Sequence, residues 1–419
     1  MQKVEINRGY LDYLRPVDPS ASVAPSVAPS PFGQAIAKFT TPAIHALSII
    51  ALFVATAVLL PVLYVINAFR GRPMDEIHAD GLTNVDTFLD QYPFHLYPVL
   101  GKALELGFLQ KQIARASNGS SKVVELAIGD GSLSKTIYPA GRSIVAVEIS
   151  PFSLQYSSKM PHVRKGAISD CVNPAVASGA FDLLVTNNFL HHVSDKETTL
   201  DHIARIAERS IFNDNTTYWS TSWPRPFLLG KFGFKDAAAR ETDRLSKQFL
   251  QDLRPKKELD AMVEKRFIVE ARAEYLCETT QFLCGIFSRL MGAYGPATPG
   301  YVKRAAKNAI LGPLVRSCTR TLAFALIRFD NHQDKEKAII IHYACRSRSF
   351  KKAATPVEFA CAECNTDLPA NLKCTACGTE FPSVQGMAFL LPKSLQFIHD
   401  RYITETGQFY EAESVHEHH

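Results

Sequence analysis

The stretch VVELAIGDGSLSKTIY, from Val123 to Tyr138, constrains the fold more than any other. It is a short β-rich run, a tight turn holding Gly129 and Gly131, and a segment compatible with a helix. Glycines at such a turn let the backbone approach a ligand closely, and a helix start gathers partial positive charge. A second apolar run, SIVAV, ends in Glu148, placed to accept hydrogen bonds from ribose hydroxyls. A third, VRKGAIS, ends in Asp170, and a fourth begins FDLLVTNNFLHHVSD at Phe181. Strands alternating with helical stretches predict a parallel sheet whose carboxyl edge holds the ligand, and these polar residues fall at that edge. The dinucleotide fingerprint G-x-G-x-x-G is not met, because Gly129 and Gly131 are followed by Ser134.

Taken together, these segments resemble the class I S-adenosylmethionine-dependent methyltransferases, in particular their small-molecule and lipid enzymes. An E-L-G-x-G-x-G-like motif is matched by Glu125, Leu126, Gly129 and Gly131, with Ala127 where the family has its first glycine. The resemblance implies that Glu125, Ala127, Gly129, Gly131, Glu148, Ile149, Asp170 and Asn187 line an S-adenosylmethionine site. Glu148 would hold the ribose and Asp170 would lie near the adenine. The family's F-D…L-H-H motif is matched by Phe181, Asp182, Leu190, His191 and His192. Methyl transfer is a displacement at a sulfonium, so the protein mainly positions donor and acceptor and supplies a base only if the acceptor must lose a proton. His191 and His192 are the candidates for that base, and either also reads as a packed or cofactor-contacting histidine. The D/N-P-P-Y/F sequence of adenine-methylating enzymes is absent, which argues against that class.

The expected fold is therefore α/β: a Rossmann-like class I methyltransferase domain over residues 118–350 with a mostly parallel seven-stranded sheet. The fifth strand is expected at Thr216–Pro224, the sixth at RFIVEARAEY and the seventh at Lys337–Arg346. Between the last two lies a helical insertion, and a helical lead-in over 73–117 precedes the domain. From Thr279 to Phe329 the insertion carries seven basic residues (Arg289, Lys303, Arg304, Lys307, Arg316, Arg320 and Arg328) and no acid. The whole chain has a net charge of +5, so everything outside this insertion sums to −2. Basic residues interleaved with apolar ones suit anionic headgroups, a solvated helical cap or RNA phosphates.

Residues 1–42 hold the proline-rich repeat PVDPSASVAPSVAPSPF and are expected to be disordered. From Phe39 to Phe69 there is no Asp, Glu, Lys or Arg. About 20 apolar residues cross a bilayer, so residues 43–69 are expected to form a transmembrane helix, single-pass or turned back at Pro61.

Near the other end, Cys361, Cys364, Cys374 and Cys377 form two C-x-x-C pairs nine residues apart. Four thiolates on two turns predict a closed structural zinc site, with a redox dithiol as the alternative. With the following FPSVQGMAFLLP, residues 358–393 resemble the small zinc-ribbon proteins that stabilise tRNA and protein methyltransferases, here fused in cis. Residues 394–419 are expected to be a tail.

The leading expectation is a membrane-anchored S-adenosylmethionine-dependent methyltransferase acting on a lipid, lipid-linked or membrane-partitioning small molecule. Its partner would be the lipid bilayer rather than nucleic acid, and its catalytic domain would face the cytoplasm, where the methyl donor is made. The alternatives are a membrane-tethered RNA or protein methyltransferase, or a non-catalytic scaffold with this fold.

Overall fold

The computed structural model describes residues 54, 57–68, 73–89, 92, 96–117, 121–129, 131, 133–139, 141–249, 252–290, 311–354 and 357–414. The expected disordered tail lies outside them, as do residues 43–53. After helix α1 (57–68) come α2 (Glu76–Leu89) and α3 (Leu96–Ala116). The α/β portion follows as β1 (Val123–Leu126), α4 (Ser134–Ile137), β2 (Ile144–Glu148), α5 (Pro151–Ser157), β3 (Val163–Ser169), β4 (Phe181–Thr186), α6 (Lys196–Ile206) and β5 (Ala207–Asn215). Then come α7 (Tyr218–Thr221), α8 (Pro224–Lys231), α9 (Lys235–Phe249), α10 (Lys256–Arg266), β6 (Phe267–Cys277), α11 (Glu278–Leu290), α12 (Leu311–Asn331) and β7 (Ala338–Ser347). The chain closes with β8 (Ser383–Val384), β9 (Met387–Leu390) and α13 (Gln396–Ser414), so the stretch read as a tail includes a helix.

The sheet corrects the expected seven mostly parallel strands to nine mixed ones, in the order β6-β7-β5-β4-β1-β2-β3-β9-β8. β1 to β5 run parallel to their neighbours within that set, and β7 is antiparallel between β5 and β6. The two additional strands come from the segment after the cysteines. β9 pairs in parallel with β3, Ile168 against Phe389, and so covers what would be an open sheet edge. The fifth strand is also displaced, because residues expected to form it at Thr216–Pro224 instead make α7 and the start of α8. Trp219 and Trp223 pack edge to face there, with ring centroids 5.2 Å apart. The charged-looking AERSIFNDN takes the fifth strand, between β4 and β7, because its last six residues are buried.

Each face of the sheet carries its own apolar core. One gathers α2, α3 and α12 over Val123, Ile144, Leu183, Ile211 and Tyr275. The other gathers α6 and α10 over Val124, Val145, Leu184, Phe212 and Tyr343, and it continues into Phe359, Cys361, Cys374 and Phe381 of the cysteine segment. The cysteine segment therefore shares a core with the α/β sheet as well as a strand pairing.

The expected transmembrane helix is not supported. Among the described residues no helix is long and apolar enough to cross a membrane. In α1, Leu63 is buried, Leu59, Leu60 and Ile66 pack on the protein core, and Asn67 Nδ2 donates to the Ala325 carbonyl at 3.3 Å. An apolar run satisfies a neighbouring helix as readily as it satisfies lipid, and composition alone does not separate the two.

The described part of the basic insertion is also partly structural. α12 buries Val315, Leu322, Leu326 and Ile327, and Arg320 forks onto the Asp86 carboxylate of α2 at 2.7 and 2.8 Å. Lys303, Arg304, Lys307 and the Arg289 side chain lie outside the described residues. Buried His78 joins lead-in to insertion: it bonds Asp75, and its Nε2 lies 3.0 Å from Asp330 Oδ2. Asp330 also accepts from the Leu276 and Cys277 amides, which ties α2, α12 and the end of β6 at one point.

Candidate active site

Strand order reverses beside β1, with β2 on one side and β4 on the other, and in open α/β sheets ligands bind at the carboxyl end of that crevice. The chain leaves β1 through Ala127, Gly129 and Gly131, all with positive φ (54°, 58° and 68°). A Cβ on Gly131 would sit 2.7 Å from Met160 Sδ and 3.0 Å from Ser157 Cβ, and the positive φ there strains any side chain, so glycine suits the position. A Cβ on Gly129 would meet nothing within 4 Å, so the backbone there borders open space. Ala127 holds the left-handed conformation at a cost of roughly 1–2 kcal/mol, where the family's glycine would not.

Glu148, buried at the end of β2, accepts from the Gly129 amide at 2.9 Å and from Ile149 and Ser150 at 3.0 Å each. Its first task is thus to fix the β1 turn against the β2 end. A carboxylate has about four lone-pair sites, and three are used, which leaves one for a ligand hydroxyl. Burial pushes its pKa up while the three amides pull it down. Asp170, just past β3, is likewise raised by burial, and it accepts from the Val172 amide at 2.9 Å. Glu125 points elsewhere: it accepts from Ser134 Oγ of α4 at 2.8 Å, and burial lifts its pKa to about 7. It anchors the helix behind the turn.

Past β4, the Asn187 Oδ1, Thr186 Oγ1 and His191 Nδ1 atoms are buried without a hydrogen-bond partner. Unpaired buried polar atoms are costly, and these three, gathered at and just after the carboxyl end of β4, make the region a candidate ligand contact. His191 is buried, and His192 keeps surface in solvent although protein surrounds much of its ring, with the two ring centroids 4.2 Å apart. Burial, each other's proximity and Lys196 hold the His191 pKa well below its ordinary value, and burial and Lys196 lower His192. Both rings are therefore neutral near pH 7. Lys196 itself is locked in a buried pair with Asp214 at 2.7 Å.

A second polar group, not anticipated from sequence, lies beside the first. Asn188, with φ 54°, donates its amide to Asn213 Oδ1 at 2.7 Å, and its Nδ2 lies 3.4 Å from Glu105 Oε1. Glu105 comes from α3, and its Oε1 is 3.6 Å from Nε2 of fully buried His342. His342 sits between Asn213 and Ala273 in the ladder, with Phe108 and Tyr275 against its ring. Neither His342 nitrogen nor the Tyr275 hydroxyl has a hydrogen-bond partner. The signal in the sequence was a lone Glu in an apolar helix face and a lone His inside AIIIHYAC.

The cysteine cluster assembles as expected. Cys361 and Cys377 sulfurs are 3.6 Å apart, Cys364 and Cys374 sulfurs 3.5 Å, and all four lie within 4.8 Å of one another. Four sulfurs at about 2.3 Å from one zinc would be spaced by about 3.8 Å, so the set fits a tetrahedral structural zinc with no open position. The Thr366 hydroxyl stands 2.9 Å from the Cys364 sulfur and 3.3 Å from the Cys374 sulfur, and the Cys377 thiol donates to Thr379 Oγ1 at 3.2 Å.

The family described as methyltransferase domain matches residues 124–209, the stretch from β1 into β5. No curated protein matches the chain. Among solved structures, geranyl diphosphate C-methyltransferase from Streptomyces coelicolor A3(2) is 12% identical, over 60% of this chain and 82% of that one, with a TM-score of 0.38. Thermoplasma acidophilum 1320 is 12% identical over 59% and 88%, with a TM-score of 0.29. Likenesses this slight do not bear on the reaction.

Proposed function

We propose that the protein, whose residues 124–209 match the family described as methyltransferase domain, is an S-adenosylmethionine-dependent methyltransferase that methylates a lipid, lipid-linked or other membrane-partitioning small molecule. It would do so at a membrane surface, with the catalytic domain on the cytoplasmic side. The observation that carries the reading is the open turn at Gly129 flanked by Glu148 and by the unpaired Asn187 and His191 atoms. The apolar character of the acceptor is supported by the outward side of α1, where Val58, Val62, Tyr64 and Val65 are exposed.

S-adenosylmethionine supplies a methyl group activated on a sulfonium. Glu148 would take a ribose hydroxyl on its remaining lone pair, Gly129 and Gly131 would let the backbone close on the donor, and Ile149 and Asp170 would flank the adenine. Asn187 would meet the methionine end. Where the acceptor must lose a proton, His191 and His192 are candidates for the base, and His342, with both ring nitrogens unpaired and Nε2 3.6 Å from Glu105 Oε1, is a third. His191, held neutral by burial and Lys196, is a weak one. Cys361, Cys364, Cys374 and Cys377 would hold zinc as a structural ion.

The test is transfer of radiolabelled methyl from S-adenosylmethionine into a total lipid extract. Label in the organic phase supports the reading. Label only in RNA or protein, when those are offered instead, refutes the lipid acceptor.

A further inference from the structure

The turn joining α8 to α9 reads Lys231-Phe232-Gly233-Phe234-Lys235 and has no part in the site above. Its two phenylalanines are among the most exposed apolar side chains described, Phe232 at 73% and Phe234 at 62%, with Leu228 beside them at 42%. Exposing two adjacent phenyl rings to water forfeits the burial that most aromatic side chains obtain.

The turn is built to present them. Phe232 and Phe234 amides donate to the Leu228 and Leu229 carbonyls at 2.9 Å each, and Gly233, with φ 83°, reverses the chain between them. α9 restarts at once, with the Ala238 amide on the Phe234 carbonyl at 2.9 Å. Behind the turn, Phe227 stacks on Phe282 of α11 with centroids 4.0 Å apart, and Pro224 lies against Gly285. The tip is therefore held on a rigid base, not left to collapse onto the protein.

Charge completes the picture. From Arg225 to Arg240 the chain carries Arg225, Lys231, Lys235 and Arg240 against Asp236 alone, a net +3. Arg225, Lys231 and Lys235 are exposed, and the lysines flank the phenylalanines directly. Aromatic rings between lysines at an exposed turn complement one surface in particular: an anionic bilayer. There rings enter the boundary between headgroups and acyl chains, and each basic residue adds attraction to anionic lipid. α8 packs on α11 and α11 on α12, the helix that carries α1, so the tip belongs to the helical layer whose α1 side is also apolar.

We propose that Lys231–Lys235 is an interfacial anchor that seats Phe232 and Phe234 in an anionic lipid surface. The proposal gives the lipid-acceptor reading a docking element and rests on that reading for its purpose, although S-adenosylmethionine binding does not depend on it.

The test uses the full chain with vesicles of phosphatidylcholine containing about one third phosphatidylglycerol. Flotation shows whether the protein binds, and hydrogen exchange over 228–236 shows whether the tip is what binds. Slower exchange in that peptide with anionic vesicles, lost in Phe232→Ser/Phe234→Ser, is the expected result. Lys231→Glu/Lys235→Glu should weaken the slowing by roughly fivefold per lysine at low salt and by less at high salt. Floating protein whose 228–236 exchange is unchanged overturns the proposal, as does protein that does not float. A wild-type mass by light scattering, without lipid, that halves in the double serine variant would overturn it in favour of self-association. Calorimetry with S-adenosylmethionine on the wild type and the same variants keeps the two readings apart: no binding by the folded wild type would sink the methyltransferase reading and leave the anchor standing.

Discussion

Truncating Phe389 tests whether the zinc-ribbon segment and the catalytic sheet are one cooperative unit. Phe389 is 1% exposed, stands opposite Ile168 in the β9–β3 ladder and packs against His399 and Tyr402 of α13, with ring centroids 5.0 and 5.6 Å away. Phe389→Ala removes a full ring from a closed core, for which core truncations cost about 3–5 kcal/mol. In a domain of this size each kcal/mol moves the melting temperature by roughly 2–4 °C, so a shared unit should melt about 6–20 °C lower. Differential scanning calorimetry of the full chain is the assay. In a shared unit the main transition, the one carrying the β1–β7 sheet, moves. If a small early transition splits off and the main one stays in place, the segment is an appended module and the shared core means little.

Zinc removal should act through the same transition: chelation, or Cys374→Ser, is expected to lower it, and an unchanged melting curve after metal analysis confirms zinc loss would refute the structural role. Lys196→Met strands the buried Asp214 carboxylate and should cost about 3–5 kcal/mol in denaturant unfolding, with much of it regained in Lys196→Met/Asp214→Asn; no recovery in the double variant would deny the pair. The His78 pKa is raised: burial lowers it, but bonds to Asp330 and Asp75 outweigh burial and the nearby Lys335. Its clamp should therefore be fully present below the ordinary value near 6.5 and fade as pH rises through the higher folded value. The stability gap between wild type and His78→Phe, measured by urea unfolding across pH, should shrink on going from mildly acidic to alkaline pH; a gap that grows would reverse the assignment.

The turn after β1 and the acids after β2 and β3 were legible because each is written within a few residues: an apolar run, a glycine turn and a terminal carboxylate. The fifth strand was not, since Glu208 and Arg209 gave AERSIFNDN a polar look and the β-rich TTYWSTSWP drew the assignment downstream. Tertiary burial overrode local propensity there. β9 was invisible as a sheet member because its partner, β3, lies more than two hundred residues away, and strand pairing at that distance leaves no local trace. Glu105 and His342 meet only through the packing of α3 on β7. The apolar 43–69 stretch suggested lipid, whereas α1 spends Leu63 and Asn67 on contacts with the protein itself.

The claim on which the account turns is that the β1 turn and Glu148 form the methyl-donor site. Calorimetric titration of S-adenosylmethionine into the full chain and into Glu148→Ala addresses it directly. The account predicts saturable binding by the wild type and affinity at least about tenfold weaker in the variant, the loss of a charge-assisted hydrogen bond worth roughly 1.5–3 kcal/mol. Equal affinity in the two proteins, or no binding by a folded wild type, would contradict it.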